Sequence, residues 1–170
     1  IPESARNRTI ELWRATELPW RWTLERVLFE GTEAGDATVF EHGGMWWLAC
    51  TIAEPGASKD DELHLFHAAS PLGPWRPHAK NPVKSDVRNS RPAGRPFFWK
   101  GDLYRPAQDS SMRYGYGMRI NKVVQLTTSE FREEEVSQVL PQWRKDLRGT
   151  HTLNMCDDLT VIDCLVHRRK

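Results

Sequence analysis

Apolar and polar residues alternate with a period of two along most of this chain, in short runs interrupted by Gly, Pro and Asp. That spacing is the mark of half-buried β-strands rather than of helices. It predicts strands at 9–16 and 23–29, at 37–41, 45–52, 62–69 and 75–79, and at 94–99, 102–107, 116–127 and 136–140, with two more inside 149–166. The pattern also repeats. Leu12, Trp13, Ala15 and Trp22 map onto Leu65, Phe66, Ala68 and Trp75 at an offset of 53, and Val124-Gln-Leu-Thr-Thr-Ser129 is a looser third copy. A second kind of segment alternates with the first. Asp36-Ala-Thr-Val-Phe40 turns through Gly43-Gly44 into Met45-Trp-Trp-Leu-Ala-Cys50, and Pro96-Phe-Phe-Trp99 turns through Lys100-Gly101 into Asp102-Leu-Tyr104. Strand repeats of this size joined by Gly turns indicate an all-β fold, a β-propeller or related array, whose sites lie at the central channel.

The repeat divides the chain into the end of one blade (1–30), two full blades (36–90 and 91–146) and the start of another (147–170). The polar stretch Pro55-Gly-Ala-Ser-Lys-Asp-Asp61 is a loop inside the first full blade, and Gly115 and Gly117 predict a bend or a close backbone approach. Glu130 to Val139 is the one segment whose composition tolerates a helical turn. Leu12, Leu65 and Leu126 are expected to be buried. Both ends read as cut, so the expectation is a piece of a longer domain, with N-terminal blades of the same domain as its immediate partner.

Composition narrows the function. Lys plus Arg number 24 against 23 Asp plus Glu, and no basic stripe stands out, which disfavours nucleic acid. The longest apolar run, at 45–53, is too short for a membrane span. Cys50, Cys156 and Cys164 form neither a disulfide framework nor a metal-binding spacing. A reducing, cytoplasmic location and the absence of a metal or cofactor are expected. Eight Trp residues supply the aromatic surface of sugar-binding grooves, although most are expected between blades.

Residues that open a blade face the axis. Asp36, Arg91, Arg95 and His151 hold those places, and Glu3 and Asp109 lie where a second strand ends. Charges beside buried aromatic strands are costly unless paired or functional. Paired carboxylates across a sugar-sized cleft perform glycoside hydrolysis, and arginine grips anionic or hydroxyl-rich groups. The candidate catalytic residues are therefore Asp36, Glu3 and Asp109, and the candidate substrate-binding residues are Arg91, Arg95, Arg105 and His151. The competing reading makes Asp36 a turn cap, pairs Asp109 with Arg91 or Arg105 as a staple between blades, and makes His151 a structural histidine. His42, His64, His67 and His78 are read as structural.

Several strings resemble one family. They are Ile1-Pro-Glu-Ser, Ile10-Glu-Leu-Trp-Arg-Ala, Trp46-Trp-Leu, Gly73-Pro-Trp, Arg91-Pro-Ala-Gly-Arg95, Tyr104-Arg-Pro-Ala-Gln-Asp109 and Tyr114-Gly-Tyr-Gly. The chain is similar, from Ile1 to about Asn154, to the N-terminal domain of plant glucosamine inositolphosphorylceramide transferases and their bacterial relatives, some of which carry a formyltransferase-like domain. The resemblance implies a five-bladed propeller like that of the arabinanase, levansucrase and invertase glycosidases. It departs where the blade-opening Asp-Pro of that clan is replaced by Asp36-Ala and Arg91-Pro, and the first blade, which carries the clan's usual nucleophile or base, is missing. The expected function is recognition of a carbohydrate or glycoconjugate at the central channel. The alternatives are an active glycoside hydrolase or transglycosidase, an accessory domain of a glycosyltransferase or formyltransferase, and a plain interaction scaffold.

Overall fold

In the computed structural model, which describes residues 1–2, 5–53, 58–156 and 158–167, nearly every periodic segment is a strand. A 3-10 turn at Ala5–Asn7 leads into a hairpin of β1 (Thr9–Glu17) and β2 (Arg21–Glu30). A second sheet runs in sequence order through β3 (Ala34–His42), β4 (Met45–Ile52), β5 (Glu62–Ala68) and β6 (Arg76–Pro77), and β7 (Lys84–Ser85) also pairs with β5. A third runs through β8 (Phe97–Trp99), β9 (Asp102–Asp109), β10 (Gly117–Leu126) and β11 (Phe131–Val139). Two short pairs follow: β12 (Leu147–Gly149) with β15 (Leu165–Val166), and β13 (Leu153–Cys156) with β14 (Leu159–Ile162). All pairings are antiparallel meanders between neighbours in the chain, apart from the small β12–β15 and β5–β7 contacts.

The burial of β4 explains how the sheets stack. Trp47, Leu48, Ala49 and Cys50 are all buried, so the strand is covered on both faces. Successive residues serve opposite neighbours. Leu48 and Cys50 join Ile10, Ala34 and Phe66 in one cluster toward the β1–β2 hairpin. Trp47 and Ala49 join Phe40, Leu63, Leu65 and Leu103 in another toward the third sheet. A third cluster of Ala93, Met118 and Leu153 fastens that sheet to β13. Sheets stacked face to face in chain order are the blades of a β-propeller.

The turns follow from their residues. Gly43 and Gly44 have φ of 60° and 74°, the pair of left-handed positions that a tight hairpin needs between β3 and β4. Lys100 and Gly101 do the same between β8 and β9, at 51° and 87°.

The structure differs from expectation in several places, among them the strand expected at 94–99, which shortens to Phe97–Trp99. The segment 130–139 is an edge strand, because pairing with β10 along its length outweighs the helical tolerance of its glutamates. The strand expected at 75–79 shortens to Arg76–Pro77, where Pro77 has no amide to extend the ladder. Leu65 is fully buried, whereas Leu12 and Leu126 are only partly covered.

Candidate functional site

The opening of β3 is irregular. The register with β4 slips between Gly35 and Thr38, and Asp36 sits in the left-handed region at φ 48°, which Asp tolerates better than most side chains. Thr38 Oγ1 donates to the Asp36 carbonyl at 3.0 Å and holds the kink. A Cβ at Gly35 would lie 2.8 Å from Thr51 Oγ1 and 3.4 Å from Arg91 Cζ, so a side chain there would collide with the groups that arrange the site.

Asp36 Oδ2 accepts from Arg91 Nε and from Gln108 Nε2, each at 2.5 Å. Arg91 Nη1 donates to Asp60 Oδ1 at 2.7 Å, and its guanidinium lies over the Tyr114 ring, 4.9 Å from the centroid. Burial opposes the Arg91 charge, but Asp36 and Asp60 overcome it and raise the guanidinium above its usual range. Gln108 is buried. Its Nε2 also donates to the Pro92 carbonyl at 2.9 Å, and its Oε1 has no partner among the described residues. The Tyr114 ring meets His151 edge-on at 5.4 Å. His151 Nδ1 bonds Asp163 Oδ2 at 2.5 Å, and Asp163 Oδ1 accepts the His151 and Thr152 amides at 2.7 Å each. Burial would raise the Asp163 carboxyl, but these bonds hold it below its ordinary value.

Asp36 forms part of the wall of a cavity of about 170 Å³, together with Thr9, Ile10, Thr38, Pro92 and Thr152. Four successive units of the array meet at this point: β1, β3, the approach to β8 and the approach to β13. The lining mixes hydroxyls and one carboxylate with aliphatic surface. Asp36 is its only acidic residue among the described lining, and no donor among the described residues reaches its Oδ1.

Asp36 and Arg91 are thus in direct contact, and His151 joins them through Tyr114. Arg95 follows the cavity-lining Gly94; it is exposed, with its amide on Asn154 Oδ1 at 3.3 Å. Asp109 and Arg105 lie elsewhere. Asp109 follows Gln108 on a strand and so faces the other way. It is fully buried and bonds Arg119 at 2.6 Å and Ser111 Oγ at 2.6 Å, so Arg119, not Arg91 or Arg105, is its partner. Arg105 is buried against Glu133 and the Asn89 and Ser90 carbonyls. Glu3 lies outside the described residues. Asp36 is held by side chains rather than by the backbone amides of a turn. Asp60, Gln108, Tyr114 and Asp163 complete the arrangement without having been singled out as site residues. Gln108 and Tyr114 stood inside flagged strings, Asp163 interrupts an apolar run, and Asp60 carries no signal that a sequence reading could use.

Among the described residues no His, Cys, Asp or Glu cluster is gathered for a metal, and no helix is long and apolar enough to cross a membrane.

Comparison with known proteins agrees with the fold. The solved structure of Bacteroides ovatus Xyloglucan PUL GH43B aligns with a TM-score of 0.55, over 89% of this chain and 30% of that one, at 16% identity. At that identity the likeness concerns the fold alone, a β-propeller. Glucosamine inositolphosphorylceramide transferase 1 of Oryza sativa subsp. japonica is 37% identical over 148 residues, covering 85% of this chain, and the Arabidopsis thaliana protein of the same name matches to the same extent. The chain spans about a fifth of the length of these curated relatives, 20% and 19%. The family profile described as "Glucosamine inositolphosphorylceramide transferase 1, N-terminal" matches residues 1–156, so this chain belongs to that family of transferase N-terminal domains.

Proposed function

We propose that this propeller segment recognises the sugar of a glycan or glycoconjugate in the cavity at Asp36. The observation that carries the reading is the half-engaged carboxylate. Arg91 and Gln108 fix Oδ2, which leaves the Oδ1 of this cavity-lining residue without a described donor and able to accept from sugar hydroxyls. Thr9, Thr38 and Thr152 add hydroxyl partners, and Ile10, Pro92 and Ala34 offer aliphatic surface to the C–H face of a ring. At about 170 Å³ the cavity is smaller than the ~300 Å³ at which drug-sized ligand pockets begin, a size suited to a single ring. The relatives are transferases whose name includes glucosamine and an inositolphosphorylceramide, which supports a sugar-bearing conjugate as the ligand class. A complete ring of five blades, implied by the resemblance to glycosidases of this fold, belongs to the same proposal.

Recognition is preferred to hydrolysis because Asp109, the second described carboxylate of the expected catalytic set, is sealed against Arg119 and faces away. The test is calorimetric titration with mono- and oligosaccharides. Asp36→Ala is expected to abolish the binding that the parent shows, and a variant that binds as well as the parent would overturn the assignment.

A further inference from the structure

The hollow at Asp36 is not the end of the axial surface. Three of the four segments that line it also line a second hollow. Thr38 on β3 is followed by Phe40 and Glu41, Gly94 by Arg95 and Phe97, and Thr152 by Met155 on β13. These later residues, with Phe98, enclose about 340 Å³. From Thr38 to Glu41 the strand advances about 10 Å at ~3.3 Å per residue, so the second hollow lies farther along the same strand.

Its chemistry differs from that of the first. Around Asp36 the charged groups are held by one another. In the second hollow, the Glu41 and Arg95 side chains make no hydrogen bond or ion pair with any described residue. Phe98 is 57% exposed, yet its ring is fixed by stacking on His42, with centroids 5.9 Å apart and planes at 29°. An exposed, positioned aromatic ring sharing a hollow with a carboxylate and a guanidinium that have no partner among the described residues has the composition of a sugar platform. The ring takes the apolar face of a pyranose, and the flanking charges take its hydroxyls. Gly94 fixes the spacing between the hollows. Its φ is 126°, and a Cβ there would fall 2.0 Å from the Leu153 carbonyl oxygen, so the segment bearing Arg95 lies hard against β13.

We propose that the two hollows form one channel along the propeller axis, and that the ligand is an oligosaccharide longer than one ring, with its first unit at Asp36 and a later unit stacked on Phe98. The inference rests on the sugar-binding reading above, since it extends that site.

The test is titration of the whole chain with matched mono-, di- and trisaccharides of the glucose, xylose, arabinose and glucosamine series, with thermal melting of each variant as the check on folding. In at least one series affinity is expected to rise about tenfold or more from one ring to three, through the added stacking contact. In Phe98→Ala, and in Arg95→Gln as the second variant, the ratio of trisaccharide to monosaccharide affinity is expected to fall at least several-fold. Affinity that is flat with length, or a length gain that both variants keep, would overturn the channel and leave the Asp36 site standing. Failure of every sugar to bind would overturn both.

Discussion

Arg91 Nε donates to Asp36 Oδ2 at 2.5 Å across the boundary between two successive blades, so one contact fastens the sheets and also poses the carboxylate at the cavity. Arg91 is 12% exposed at its side chain, and its Nη1 donates to Asp60. Arg91→Ala is therefore expected to do two things. It leaves Asp36 and Asp60 without their shared counter-charge, which lowers stability by about 1–3 kcal/mol, and it releases Asp36 from its pose, which weakens ligand binding. Chemical denaturation and titration of the same variant read the two effects. A variant with parental stability would contradict the first.

The Arg105–Glu133 pair is the deepest charge contact described. The side chains are 2% and 3% exposed, and the Nη2–Oε1 distance is 2.6 Å, with Lys84 also on Glu133 at 2.7 Å. Removing Arg105 leaves the buried Glu133 carboxylate with Lys84 alone as its counter-charge. Arg105→Ala is expected to cost about 3–5 kcal/mol, and replacing both with apolar residues of similar volume is expected to cost less than the single change. Urea denaturation of the single and double variants decides it; a double variant that is the less stable of the two would contradict the account.

Acid is expected to destabilise the fold through a defined set of carboxyls. Burial would raise Glu133, but Arg105 and Lys84 hold it below its usual range. Asp109 is likewise lowered by Ser111 and Arg119 against the effect of burial, and Asp163 by His151 and Thr152. Because the folded values are depressed, the unfolded chain takes up protons first. The stabilisation is complete above the ordinary carboxylate values near pH 4 and is lost as pH falls through the folded values. The denaturation midpoint should change little from about pH 7 to 5 and then drop steadily below about pH 4. A fold that gains stability on acidification below pH 4 would refute this assignment.

The blades were legible because strand parity and turn chemistry are local. The offset relating Leu12 to Leu65 and the Gly43-Gly44 and Lys100-Gly101 turns needed no tertiary information. The candidate site was legible only in part. Asp36 and Arg91 could be placed from their positions at blade openings. Their partners lie far away in sequence, Asp60 in a loop 31 positions from Arg91 and Gln108 on β9 72 positions from Asp36. The same limit explains Asp109. Its partner Arg119 lies across the β9–β10 hairpin, and without the register Arg91 and Arg105 were equally available. Arg105 reads from the sequence as a substrate-binding residue, because nothing local shows that Glu133 from the edge strand neutralises it.

Thiol chemistry offers a check on the packing of β4. Cys50 is fully buried, and desolvation pushes its thiol up to about 12, whereas Cys156 and Cys164 are exposed. A thiol-specific reagent at neutral pH should label Cys156 and Cys164 rapidly and Cys50 only on unfolding. Rapid labelling of all three in the native protein would contradict the burial of β4 between two sheets.

The most direct test of the sugar-site reading is Asp36→Asn, with glycan affinity and melting temperature measured on the same preparation. The amide keeps the shape of the carboxylate and loses its charge. Losing a charged hydrogen bond to a ligand costs about 1.5–3 kcal/mol, so affinity is expected to fall about tenfold or more, while the melting temperature stays within about 2–4 °C of the parent, the shift that 1 kcal/mol produces in a chain of this length. Unchanged affinity with a lowered melting temperature would show that Asp36 only staples the blades, and would contradict the account.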